Sequence, residues 1–135
     1  MNFQIDSIGK YEYIVKEKDL ASNWENDVDV LATPVLLWLA EVSCMDAIKD
    51  QIEENYMSLG LGHYEMKHLA PSLLNEKITI HSKLIKMDKN KLLFEVEAFD
   101  ESSQILRGFH ERAVVKKEKF LRNLEEKRKA VTIND

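Results

Sequence analysis

Residues 33 to 48, TPVLLWLAEVSCMDAI, constrain the fold more than any other stretch of the chain. Thr33 and Pro34 read as a helix start. A threonine hydroxyl can cap the first turn, and proline is tolerated at the first helical position, where no backbone donor is needed. Val35, Leu36, Leu39, Val42 and Met45 then recur at helical spacing, while Leu37, Trp38 and Ala40 widen the apolar face. A helix apolar on most sides must be covered on most sides. Glu41 is the misfit. A carboxylate among apolar neighbours must be paired, shift its pKa or face a cavity.

The flanking segments have the right shape to supply the cover. GKYEYIVKE, residues 9–17, reads as a strand before the helix. Four further strands come after it: MSLGLGHYEMKHLA, KITIHSKLIKM, KLLFEVEAFD and QILRGFHERAVVKK. Turns at Asp88–Asn90 and Asp100–Ser103 make neighbours antiparallel. KDLASNWENDVDV reads as a polar connection that packs down through Trp24. The tail KEKFLRNLEEKRKAV reads as a helix touching the body through Phe120, Leu121 and Leu124. The expected architecture is α+β: a curved antiparallel sheet wrapped around one long central helix, with a C-terminal helix. That is the hot-dog arrangement, formed as a single domain over residues 1–135. Its sheet leaves a free edge, which a second copy can close, so a homodimer is expected.

Composition narrows the function. The chain carries 19 Lys and Arg against 24 Asp and Glu, a net charge of −5, which argues against nucleic acid as a partner. No apolar run reaches a membrane span, and the first residues lack a secretory pattern, so a cytoplasmic protein with no membrane partner is expected. One cysteine, Cys44, excludes an intrachain disulfide. The histidines, His63, His68, His81 and His110, are scattered without His-x-x-x-His spacing, and no glycine-rich phosphate loop opens a helix. No metal or redox cofactor is implied.

Glu41 lies eight positions beyond Thr33, about 12 Å along the helix by rise. In GHYEMKHLAP, strict alternation puts Tyr64, Met66 and His68 on one face and His63, Glu65 and Lys67 on the other. His68 then faces inward, where an imidazole can carry a proton. Taken singly, Thr33 is a cap, Glu41 an interface or snorkelling residue, and His68 a structural histidine. Only their conjunction suggests chemistry.

VLATPVLLWLAEVSCMDAI, HLAP, KLLFEVEAFDE and HERAVV together resemble the fluoroacetyl-CoA thioesterase-like family, from about Gly9 to Phe120. The resemblance implies a dimeric hot-dog enzyme that hydrolyses an acyl-CoA thioester with Thr33, Glu41 and His68, its active sites near the subunit interface. Coenzyme A is then part of the substrate. By motif, Arg112 is a ligand or interface residue. Glu41 would attack the carbonyl or activate water, His68 would pair with Glu41, Thr33 would orient substrate or water, and backbone donors near Gly60 would hold the oxyanion. The sequence departs from the family pattern at Leu61, where a threonine is usual, at Asn75, and at Phe109, expected to reshape the acyl pocket. A bulge near Gly60–Gly62 would keep His68 inward. Two rivals remain. One is a non-catalytic acyl-CoA or small-ligand binding dimer. The other is a hydratase, against which stands the absence of any Asp five places before a His.

Overall fold

In the computed structural model, which describes residues 2–133, five antiparallel strands form one sheet in the order β1-β3-β4-β5-β2. The strands are β1 (Ile8–Ile14), β2 (Tyr56–His68), β3 (Lys77–Asp88), β4 (Lys91–Phe99) and β5 (Gln104–Lys116). Helix α1 (Thr33–Ile48) crosses their concave face, and α2 (Lys117–Ile133) follows β5. Each expected element is present, with no boundary shifted by more than three residues. The α+β hot-dog architecture is therefore the observed one.

Period-two burial builds the core. Ile78, Ile80, Ser82 and Leu84 of β3 face α1, as do Leu92, Phe94, Val96 and Ala98 of β4. From α1 they meet Val35, Leu36, Leu39, Ala40, Cys44 and Ile48. Cys44 is fully buried, and burial pushes its thiol up to about 12, so it serves as a small core residue. At the far turn, Asp100 Oδ1 accepts from the Ser102 and Ser103 amides.

Two expectations are corrected. First, α1 is not covered on all sides: Trp38 is 47% and Met45 38% exposed, so an apolar strip of the helix stays open to solvent although the Trp38 ring packs edge-on against Tyr13 of β1. Second, α2 barely touches the body. Leu121 and Leu124 are exposed, and Phe120 alone of the three expected contacts is half-buried. No helix among the described residues is long and apolar enough to cross a membrane.

The segment before α1 is pinned rather than loose. Asp19 is buried and its Oδ2 accepts from the Tyr13 hydroxyl at 2.7 Å and the Lys16 amide at 2.9 Å. A bridge joins Leu20 to Leu31. The amides of Leu31 and Ala32 donate to the carbonyls of Ser72 and Asp19. These bonds set where α1 begins.

Candidate active site

Two clusters of functional side chains lie along α1. The first is at its start. Thr33 is the first helical residue, and Ala32, not Thr33, occupies the cap, with no side-chain capping bond. The expectation of a threonine cap fails because the hydroxyl is engaged elsewhere: Thr33 Oγ1 and His68 Nδ1 are hydrogen-bonded at 2.8 Å. An uncapped helix start with proline in its first turn leaves backbone donors free for an oxyanion. Burial holds the His68 pKa below its ordinary value, so the imidazole is neutral near pH 7. Both residues open onto a cavity of about 500 Å3, lined also by Trp24, Val28, Val30, Leu31, Pro34, Leu69 and Pro71.

The second cluster surrounds Glu41. Arg112 Nη1 donates to Glu41 Oε1 at 3.1 Å, and His63 Nε2 lies 3.3 Å from Oε2. Arg112 is held in turn: Nε donates to Ser58 Oγ and Nη2 to the Ser58 carbonyl. Its Nη1 also donates to His110 Nε2 at 3.0 Å, so His110 carries its proton on Nδ1, which donates to the Gly62 carbonyl. The rings of His63 and His110 stack 4.4 Å apart. Burial, reinforced by neighbouring His63, pushes His110 down to about 4. Glu41 is thus paired, as its place in the helix demanded.

The expected Glu41–His68 pairing is not present: Glu41 pairs with His63 and Arg112, and His68 with Thr33. The reason is the register of β2. Gly60 stands opposite Arg112 but Gly62 opposite Glu111, so Leu61 is an extra residue. That bulge inverts the alternation and turns His63 inward, where simple period-two reading put it outward. Tyr64 turns outward, its hydroxyl donating to Glu111. A second shift between Tyr64 and Lys67, with Glu65 in the left-handed region, restores the phase and returns His68 to the inner face. Gly108 makes room for it, since a Cβ there would stand 2.6 Å from Met66 Cα.

Phe109 is also corrected. It sits opposite Tyr64 on the outer face, beside Lys67, Glu95 and Arg107, and does not line the cavity of Thr33 and His68. The same parity explains this, because His110 and Arg112 take the inner positions. Gly60 lies against Glu41 rather than against the cavity.

His63, His110, Val28 and Val30 escape a reading of the sequence alone. His63 was hidden by the bulge, for which the glycines flanking Leu61 were the signal. Val28 and Val30 fall in a segment whose composition is that of a polar loop, although NDVDV alternates and places Asn26, Val28 and Val30 on the cavity wall.

Glu41, His63 and His110 bring ligand atoms within 4.8 Å of one another, the raw material of a metal site. Arg112 already donates to two of the three, putting a permanent positive charge where a cation would sit. The group is an ion-pair network.

Comparisons with known proteins identify the family and the fold. Residues 15–118 match the family described as fluoroacetyl-CoA-specific thioesterase. The fluoroacetyl-CoA thioesterase of Streptantibioticus cattleyicolor is 32% identical over 92 residues, which span 68% of this chain and 66% of that protein, just under two thirds of its length. A solved fluoroacetyl-CoA thioesterase superposes with a TM-score of 0.86 at 23% identity, covering 94% of this chain and 98% of that one. A thioesterase superfamily member from Thermus thermophilus does so at 0.84 and 22% identity, covering 94% and 96%. At these identities the structural likenesses speak for the fold.

Proposed function

The chain belongs to the fluoroacetyl-CoA-specific thioesterase family, and from that premise we propose that it hydrolyses an acyl-CoA to a carboxylic acid and coenzyme A. The observation that carries this reading is the 2.8 Å Thr33–His68 bond at an uncapped helix start, opening onto a cavity.

A hydroxyl bonded to a neutral imidazole is the arrangement of an activated nucleophile. Thr33 Oγ attacks the thioester carbonyl while His68 takes the hydroxyl proton. Amides in the first turn of α1 hold the oxyanion, aided by the helix dipole. The C–S bond breaks, and His68 returns the proton to the departing thiolate. Water, activated by the same imidazole, then frees the acid. Coenzyme A enters as part of the substrate, and no other cofactor takes part.

Glu41 supports a second route. Its side chain is one-third exposed, and Oε2 is held only by the longer His63 contact, so this oxygen can attack a carbonyl or activate water. Two features favour a homodimer: the free edge of β2 and the uncovered Trp38–Met45 stripe of α1.

The test is thiol release from a panel of acyl-CoA esters by the natural protein, T33V, H68Q and E41Q. Hydrolysis abolished in T33V and H68Q supports the threonine route; hydrolysis abolished in E41Q alone supports the glutamate route. No hydrolysis by the natural protein, with ester binding retained, replaces the enzyme by a binding module.

A further inference from the structure

The cavity beside Thr33 and His68 is lined mostly by apolar residues and carries no carboxylate, lysine or arginine. Apart from His68, none of its lining residues is ionisable. Trp24, Val28, Val30, Pro34, Leu69 and Pro71 are among its apolar lining residues, and Asn26 and Thr33 bring uncharged polar groups. Charge is kept to the outside by the backbone. In Asn26-Asp27-Val28-Asp29-Val30 the chain presents alternate residues to the cavity, so both valines line it while Asp27 and Asp29 stay exposed and out of it. Glu25 adds a third exposed carboxylate to the same rim.

The wall is also held in place. Trp24 Nε1 donates to the Lys18 carbonyl, and the Ala21 amide donates to the Val30 carbonyl, closing the segment onto the body. Trp24 is 51% and Val28 48% exposed, a large apolar area left bare in a position fixed by hydrogen bonds. The cavity, about 500 Å3, is open to solvent and leaves room beyond a two-carbon acyl group for a longer one.

We infer that the acyl group this chain accepts is uncharged, apolar and larger than acetyl, a medium-chain, branched or aromatic acyl, with Trp24 and Val28 as specificity-determining residues. The inference rests on the thioesterase reading for the identity of the site, and on the wall alone for the acyl class. Each methylene buried against such a wall favours binding several-fold. An acyl group ending in a carboxylate gains nothing from it and meets the field of Glu25, Asp27 and Asp29.

The experiment measures kcat/KM for acetyl-, fluoroacetyl-, hexanoyl-, phenylacetyl- and succinyl-CoA, with the natural protein and V28D. The expected result is hexanoyl or phenylacetyl about tenfold or more above acetyl, with succinyl lowest. V28D, which sets a carboxylate in the wall, then lowers the hexanoyl-to-acetyl ratio about tenfold, chiefly through KM. Acetyl or fluoroacetyl preferred, succinyl equal to hexanoyl, or a ratio unmoved in V28D overturns the inference and leaves the thioesterase reading standing. If no ester is hydrolysed, the thioesterase reading fails, and equilibrium binding of the same esters decides: hexanoyl tighter than acetyl by about tenfold supports the apolar class, and equal affinities overturn it.

Discussion

A Cβ built on Gly60 would stand 2.6 Å from Glu41 Oε1, so the carboxylate fills the space that any side chain at position 60 would need. The clash is with the end of a movable side chain, so G60A is expected to fold. Its effect falls on the network, because Oε1 cannot keep its 3.1 Å bond from Arg112. Turnover should drop about tenfold or more if Glu41 takes part in the reaction, with a thermal midpoint lowered by a few degrees. Steady-state kinetics with a melting curve checks this. Wild-type turnover in G60A would remove Glu41 from the chemistry.

Arg112 is 4% exposed, and its donors divide among Ser58, Glu41 and His110. A lysine has one point of charge and cannot reproduce that fork. R112K should therefore destabilise nearly as much as R112M, by about 2–4 kcal/mol, since each leaves Glu41 and the Ser58 groups short of partners. Chemical denaturation reads the difference, and R112K at wild-type stability would contradict it.

The sequence made the fold legible because its signals were strong and local. Period-two alternation in β3 and β4 and short polar turns specify an antiparallel sheet with little ambiguity. The apolar run of α1 demanded a wrap. Thr33 and His68 were found as single residues, but their pairing was not, because it depends on two bulges in β2 that cancel. One bulge alone would leave His63 inward and His68 outward. Alternation carries no record of an inserted residue, so His63 and Tyr64 were assigned to the wrong faces and Phe109 was expected in the acyl pocket. The capping role given to Thr33 failed for a different reason: a hydroxyl at a helix start can bond the helix or a neighbour, and only tertiary structure chooses.

His110 gives the fold a pH dependence. Its folded pKa, about 4, lies below the ordinary 6.5. Between these values the unfolded chain binds a proton that the folded chain refuses, so unfolding is favoured as pH falls. Stability from this group is complete above pH 6.5, declines from there to about pH 4, and is lost below. The loss amounts to about 3 kcal/mol. H110N, which retains a donor for the Gly62 carbonyl, should flatten the curve over that window. Denaturant midpoints from pH 4 to 7.5 measure it, and an unchanged slope in H110N would assign the dependence to other groups.

His68 sets the acid limb of the reaction. Thr33 needs an unprotonated imidazole, and burial keeps His68 neutral to lower pH than a free histidine. Protonation removes the base, so kcat/KM should hold as pH falls through 6.5 and decline only below it. An acid limb at or above pH 6.5 would show that another group accepts the proton.

The assembly is tested at two exposed apolar positions. Leu61, at the bulge of β2, is 49% exposed, and Met45 on the uncovered stripe of α1 is 38% exposed. Neither sits in the core of one chain, so charge there should cost a monomer little. Both lie on surfaces expected to meet the second copy, where a buried unpaired carboxylate is costly. The natural protein is expected at twice the 15.7 kDa chain mass, and L61E with M45E at that mass, folded. Light scattering on the eluting species, with circular dichroism, separates the cases. A double variant that remains dimeric would place the interface elsewhere, and a natural protein that runs as a monomer would leave the β2 edge unpaired in solution.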